Sequence, residues 1–286
     1  MINISDLSFG YKKNSSVFSD LNIELSTGNI YGLLGKNGAG KTTLLKIIIG
    51  LLFPQNGSCE VLGFSPQKRE PEYLNKIYYI PEEIYSPNIK IQRYIDLIFP
   101  FYPKFDKKKF DSFLEELEID SKNKFTELSY GQKKRVYLAF GLAANCELLI
   151  LDEPTNGLDI PSKRIFRKML ASSINEDNLI IISTHQVSDL QNLIDPVIIL
   201  DEGKIVFHKE LSDLAQKISI QLQQTKPEGD EVLYYEKSAG GYICLTENHV
   251  GQEDDINIEL LFNAVISNST KFTELVNTEV VNEEYN

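Results

Sequence analysis

The sequence predicts an α/β protein built on a parallel sheet, and three observations carry that prediction. Short apolar runs recur at residues 30–34, 148–151, 179–182 and 197–200. None shows the alternation of a half-exposed strand, as expected of parallel strands buried on both faces. Segments of helical periodicity lie between these runs, which is the alternation of βα units. From about residue 82 to 144 the pattern is helical without a strand, so a helical subdomain interrupts the sheet.

Each element follows from local signals. Residues 1–80 read as strands plus a glycine-rich loop and its helix, expected over 43–52. Pro54-Gln55-Asn56-Gly57 should close that helix and turn into a strand over 59–62. Helices are expected over 91–99, 107–117 and from 130 onward, before the sheet resumes and ends with a strand over 204–207. Beyond Leu211 short strands over 218–222, 232–235 and 242–245 are separated by turns at Pro227-Glu228-Gly229 and Gly240-Gly241. A helix over 256–266 follows, with Asp254 or Asp255 as its cap. The expected organisation is a main domain over 1–212, a small α+β appendage over 213–268 and a polar tail over 269–286.

Gly35-Lys36-Asn37-Gly38-Ala39-Gly40-Lys41-Thr42 matches the phosphate-loop pattern GxxxxGK[ST] in full, between a buried strand and an apolar helix that Thr43 enters. Its glycines let successive amides converge on a β-phosphate, where any Cβ would crowd the anion. Lys41 is placed to reach the β- and γ-phosphates and the Thr42 hydroxyl to ligate magnesium. A second constellation follows the apolar run 148–151, where Asp152 and Glu153 stand at the carboxyl end of a strand. Open α/β sheets bind ligands there. An Asp in that place can hold a phosphate-bound magnesium, and a neighbouring Glu can orient or deprotonate water. In isolation, two acids after an apolar strand are more often a solvated turn.

A third constellation opens the helix after Leu128. Ser129 and Gln132 have capping-box spacing, and Gly131 leaves the first turn bare, so an anion can approach the amides. Gln132, Val136, Ala139, Phe140 and Ala143 recur on one largely apolar face, which leaves Lys133, Lys134 and Arg135 mostly on the others.

The order of phosphate loop, LSYGQ, LLILDEP, a Gly-Leu-Asp loop and an isolated His resembles the ATP-binding cassette (ABC) transporter ATPase subunit over about residues 1–212. LSYGQ departs from that family's LSGGQ only by Tyr130. The resemblance implies a P-loop NTPase core with a parallel sheet and an antiparallel β region, ATP and Mg2+ as cofactors, and two subunits sandwiching ATP head to tail. Ser129, Gly131 and Gln132 would then meet the γ-phosphate held by a second copy or a paralogous subunit. Asp159 resembles the residue that touches the partner across the dimer. His185 resembles the switch histidine on the γ-phosphate, and Tyr11 the aromatic that stacks on adenine. Glu82 stands where the family usually has Gln. A carboxylate there can still ligate magnesium but repels a bare γ-phosphate. Glu82 is familiar in exporter-type members, so the expected work is export through a separate transmembrane permease subunit. The helical subdomain would offer the groove for that partner.

Composition narrows the alternatives. The chain has 286 residues, 42% of them hydrophobic, and no apolar run of membrane-spanning length. No signal peptide opens it, so the expected place is the cytoplasm, peripheral on the cytoplasmic face of a membrane. Cys59, Cys146 and Cys244 are scattered, odd in number and not at metal spacing. Residues 1–212 carry 27 acids against 25 Lys and Arg, and residues 213–286 carry 14 against 4. So acidic an end argues against a nucleic-acid partner. The alternative function is a soluble ATPase of this type acting on DNA or ribosomes. Only 129 − 41 = 88 positions separate Lys41 from Ser129, too few for the coiled coil of the DNA-acting members. The ribosome-acting members usually carry two cassettes, and this chain has one phosphate loop.

Overall fold

The computed structural model describes residues 1–12, 15–191, 193–227, 229, 231–248, 255–267, 272 and 275. Alternating apolar residues build its first sheet. The strands β1 (Ile2–Phe9), β2 (Phe18–Leu25) and β4 (Asn56–Val61) pair antiparallel in the order β2-β1-β4. Ile2 faces Leu25 and Ile4 faces Ile23, all four buried.

The apolar runs form the second sheet. Its strands are β3 (Ile30–Leu34), β5 (Ile77–Ile80), β6 (Leu148–Asp152), β7 (Leu179–Thr184), β8 (Val197–Asp201) and β9 (Lys204–Lys209), in the order β5-β6-β7-β3-β8-β9. Every residue of β3, β6 and β7 is buried, and the pairings from β5 through to β8 are parallel. Register decides what this sheet can do. Asp152 lies opposite Ser183, and Leu34 opposite Thr184. The carboxyl ends of β6, β7 and β3, three adjacent strands, therefore finish on one line.

The helix after the phosphate loop is α1 (Lys41–Ile48), shorter than the expected 43–52. Gly50 takes a φ of +70, and its amide closes on the Ile47 carbonyl at 3.0 Å, so the helix stops before the proline. A short α2 (Pro71–Leu74) precedes β5.

The helical subdomain holds α3 (Ile91–Ile98), α4 (Lys107–Glu116) and α5 (Tyr130–Ala143). Its interior is aromatic. The Phe140 ring lies 5.0 Å from Phe105, 5.2 Å from Tyr78 and 5.5 Å from Tyr102, centroid to centroid. Tyr78 belongs to β5, so this cluster fastens α5 to the sheet. From Val136 to Ala143 every residue of α5 is buried. The one-sided helix expected from the sequence is thus enclosed on all sides, as an all-round apolar helix must be. After β6 comes α6 (Ile160–Ala171).

The chain divides into two compact units, Met1–Ile205 and Val206–Asn286, and the division falls inside β9, ahead of the expected 212/213. The second unit carries α7 (Leu211–Ala215) and an antiparallel sheet of β10 (Ile218–Gln223), β11 (Val232–Ser238) and β12 (Gly241–Glu247), in the order β10-β12-β11. It also carries α8 (Ile258–Ile266), whose cap is Asn257: its side chain accepts from the Leu260 amide. Asp255 lies too far ahead of the first turn to cap it, and Asp254 lies outside the described residues. Glu228 of the expected turn and most of the 269–286 tail lie outside them too. Among the described residues no helix is long and apolar enough to cross a membrane.

Candidate nucleotide-binding and hydrolytic site

The phosphate loop joins β3 to α1. Gly38 and Gly40 hold φ of +84 and +111, and a Cβ on Gly40 would lie 2.8 Å from the Phe18 ring. Asn37 and Ala39 lie between the loop's glycines, and the Ala39 amide closes the turn on the Lys36 carbonyl at 3.1 Å. Lys41 is 7% exposed. Its ammonium donates to the Gly35 carbonyl at 2.7 Å and the Lys36 carbonyl at 3.3 Å, and lies 3.9 Å from Glu153 Oε1. Burial holds the Lys41 pKa below its ordinary value, against the opposing pull of Glu153, Asp152 and Glu82.

The sheet register brings the acids to this loop. Thr42 Oγ1 donates to Asp152 Oδ2 at 2.8 Å, Tyr79 donates to the same oxygen at 3.2 Å, and Ser183 donates to Asp152 Oδ1. Burial, and then the nearby Asp152 carboxylate, push the Tyr79 phenol up, which keeps it a donor. Glu153 is 5% exposed with a φ of +47, a left-handed backbone outside glycine's usual use. Its Oε1 lies 2.7 Å from His185 Nδ1, and its Oε2 accepts from Thr184 Oγ1 at 3.3 Å. Asp152, Glu153, Lys41, Thr42 and His185 thus meet at one place.

A hydroxyl and a carboxylate at 2.8 Å form the hard-oxygen pair that suits magnesium, which takes few protein ligands and completes its shell with phosphate and water. Among the described residues no group of three or more His, Cys, Asp or Glu could hold a metal ion by itself. Glu82 Oε1 accepts from Asn156 Nδ2 at 3.1 Å, and its charge is near enough to act on Lys41.

Tyr11 stands just past the end of β1, 60% exposed, edge-on to Phe9, with its hydroxyl 3.0 Å from Thr43 Oγ1. An open aromatic face therefore flanks the start of α1. Ser129 and Gln132 form the expected capping box on α5: the Gln132 amide donates to Ser129 Oγ at 3.2 Å and the Ser129 amide to Gln132 Oε1 at 2.9 Å. Gly131 faces Leu158. Among the described residues no hydrogen bond joins Ser129, Gly131 or Gln132 to the phosphate loop. Asp159 caps α6, its Oδ1 accepting from the Ser162 amide at 2.9 Å, and this bonding at Ser162 lowers its pKa.

Sequence reasoning missed Tyr79, Ser183 and Thr184; for Ser183 and Thr184, polar residues closing an otherwise apolar strand were a usable signal. It also placed Lys134 away from the buried face, and here it is corrected. Lys134 is 4% exposed, donating to the Glu153 carbonyl at 2.7 Å and the Asn156 carbonyl at 3.0 Å. Burial pushes its ammonium down to about 8. A run of three basic residues gives no hint of which one turns inward.

Known proteins are similar to this chain. The family model described as ABC transporter matches residues 18–156. The bacitracin transport ATP-binding protein of Bacillus licheniformis is 36% identical over 210 residues, 72% of this chain and 68% of that one. The Nod factor export ATP-binding protein of Rhizobium etli is 30% identical over 224 residues, 76% of this chain and 70% of that one. A dimeric post-hydrolysis structure of the ATP-binding cassette MJ0796, bound to ADP and Pi, shares the fold, with a TM-score of 0.64 at 20% identity over 73% of this chain and 98% of that one. The phosphate loop, the acids after β6 and these relatives together place the chain in one family: it belongs to the ATP-binding subunits of ABC transporters.

Proposed function

We propose that two copies of this chain, or this chain and a paralogue, close head to tail around ATP, and that hydrolysis reopens them to drive export through a separate membrane-spanning subunit on its cytoplasmic face. The convergence of Lys41, Thr42, Asp152, Glu153 and His185 at the ends of three adjacent strands carries this reading. Tyr11 offers its face to the base, adding affinity with little base selectivity. The triphosphate takes over from the Gly35 and Lys36 carbonyls as the partner of Lys41. Thr42 and Asp152 would hold the magnesium ion, which neutralises charge on the β- and γ-phosphates when bound.

Glu153 accepts the proton of the attacking water. His185 Nδ1 holds Oε1 while Thr184 Oγ1 and the His185 amide hold Oε2, so Oε1 keeps a lone pair for that water. Among the described residues the helix end at Ser129 makes no hydrogen bond to its own phosphate loop, which supports its facing the γ-phosphate in the partner, where backbone amides and helix dipole favour an anion. Ile160, 83% exposed beside Asp159, offers an apolar contact to that partner. Export is supported by the names of the relatives. A membrane partner is supported by apolar side chains on the helical subdomain that face solvent, Tyr85, Leu97, Phe99 and Phe101.

The test is Glu153→Gln. Turnover should fall by roughly three orders of magnitude, as for the loss of a general base, while ATP binding survives and light scattering detects an ATP-dependent dimer. A variant that binds ATP and magnesium yet stays monomeric at saturation would count against the sandwich.

A further inference from the structure

We propose that Lys134 is a positioning residue that ties the anion-binding end of α5 to the backbone carrying Glu153, so that docking of that helix on the partner's nucleotide sets the hydrolytic carboxylate of its own chain. This deepens the reading above and rests on it.

Three observations carry the assignment. Lys134 is the fifth residue of α5, one turn in from Ser129, and its ammonium reaches across to the segment after β6. It donates there to two main-chain carbonyls, those of Glu153 and Asn156. Its remaining side faces the Tyr130 ring, 5.4 Å from the centroid, a cation–π distance. An ammonium with three donors and two carbonyl partners is a fastener between segments, not a solvated charge.

The segment it fastens is one that needs holding. Glu153 keeps a φ of +47, a conformation that persists only where the surroundings enforce it. Its amide is fixed by the Ser183 carbonyl at 3.0 Å, and its own carbonyl by Lys134 at 2.7 Å. Those two bonds set the direction in which the carboxylate leaves the main chain. Asn156, the second residue held, gives its side-chain amide to Glu82, and the Glu82 carbonyl accepts from the Tyr130 hydroxyl at 2.7 Å. The contacts therefore close a ring: Tyr130 and Lys134 on α5, then Glu153 and Asn156 after β6, then Glu82 after β5, and back to Tyr130. A shift at the start of α5 cannot occur without straining the link at Glu153. Lys134 lines a small cavity with Arg135 and the apolar Ile80, Leu138, Pro154, Leu158 and Phe166. Without the ammonium, the Glu153 carbonyl would keep only the long bond from the Asn156 amide, at 3.3 Å, and the Asn156 carbonyl would lose its Lys134 donor.

The experiment uses the full chain as Lys134→Met, Lys134→Arg and Glu153→Gln, with kcat, KM, binding of a fluorescent ATP analogue and melting measured for each. Lys134→Met should lose roughly 10- to 100-fold in kcat, the scale for removing a group that orients a reacting one. Analogue affinity, set by Lys41 and Tyr11, should stay at the wild-type value. Lys134→Arg, which keeps the charge and can donate to both carbonyls, should recover most of the lost rate. A Lys134→Met protein with a lowered melting temperature and wild-type kcat would overturn the proposal, since the residue would then serve stability alone. Should Lys134→Met fail to bind the analogue through misfolding, Lys134→Gln decides. One donated bond should give an intermediate kcat, and a wild-type kcat overturns the proposal. The Glu153→Gln arm separates the two levels. If it is inactive beside a fully active Lys134→Met, only the role of Lys134 falls. If it hydrolyses ATP at the wild-type rate, the reading of Glu153 falls and takes Lys134 with it.

Discussion

At the scale of single residues, the site is a set of buried charges that satisfy one another across three loops. Lys41, Asp152 and Glu153 are each under a tenth exposed, an expensive arrangement unless every charge is paired or hydrogen-bonded, and here each is. Tyr11 is the opposite case, an open ring whose hydroxyl is hydrogen-bonded to Thr43. Its two contributions can be separated. Tyr11→Ala should weaken ATP binding by about 1–3 kcal/mol, the value of one base stack, whereas Tyr11→Phe should bind nearly as wild type. Isothermal titration would show both, and equal losses in the two variants would mean that the hydroxyl, and not the ring face, carries the affinity. The residues legible from sequence were those whose motif fixes their role locally: Lys41 and Thr42 in the phosphate loop, Asp152 and Glu153 after an apolar strand. Lys134 and Tyr79 were not legible, because their partners lie 19 to 73 positions away and only the tertiary fold brings them in.

At the scale of elements, the buried strands and the capped helices were legible, and their ends less so. Periodicity and apolar runs identified β3, β6, β7 and β8, while tertiary bonding set where they stop. Asp152 and Thr184 belong to their strands through pairing that extends beyond the apolar run. For α1 the sequence offered a proline as terminator, but the chain turns earlier at Gly50 because that residue alone can take the left-handed backbone there. Helix α5 shows a different limit: its periodicity suggested one buried face, and the aromatic subdomain encloses the rest. Phe140 is fully buried at the centre of that cluster. Phe140→Ala should cost about 3–5 kcal/mol and loosen α5 from β5. Chemical denaturation should show that loss of stability. Nucleotide binding at the phosphate loop should outlast hydrolysis as denaturant rises. A variant of undiminished stability would show that the cluster does not fasten the helix.

At the scale of the whole molecule, the chain carries two anion-directed features, the phosphate loop and the start of α5, with no hydrogen bond between them among the described residues. The proposed function accounts for both in one chain: two copies in inverted orientation would give two complete sites, and Lys134 would give each site a mechanical link to the other. The three native cysteines make this testable. All are buried, and burial pushes the Cys59 and Cys146 thiols up to about 12 and raises Cys244 as well, so they stay unreactive beside an exposed engineered thiol. The measurement is cross-linking between two singly substituted populations, Asn37→Cys and Ser129→Cys, both in the Glu153→Gln background, with a short bifunctional thiol reagent. Head-to-tail closure predicts a covalent heterodimer that forms with ATP and magnesium and not without them. Both populations binding ATP yet giving no cross-linked pair would contradict it.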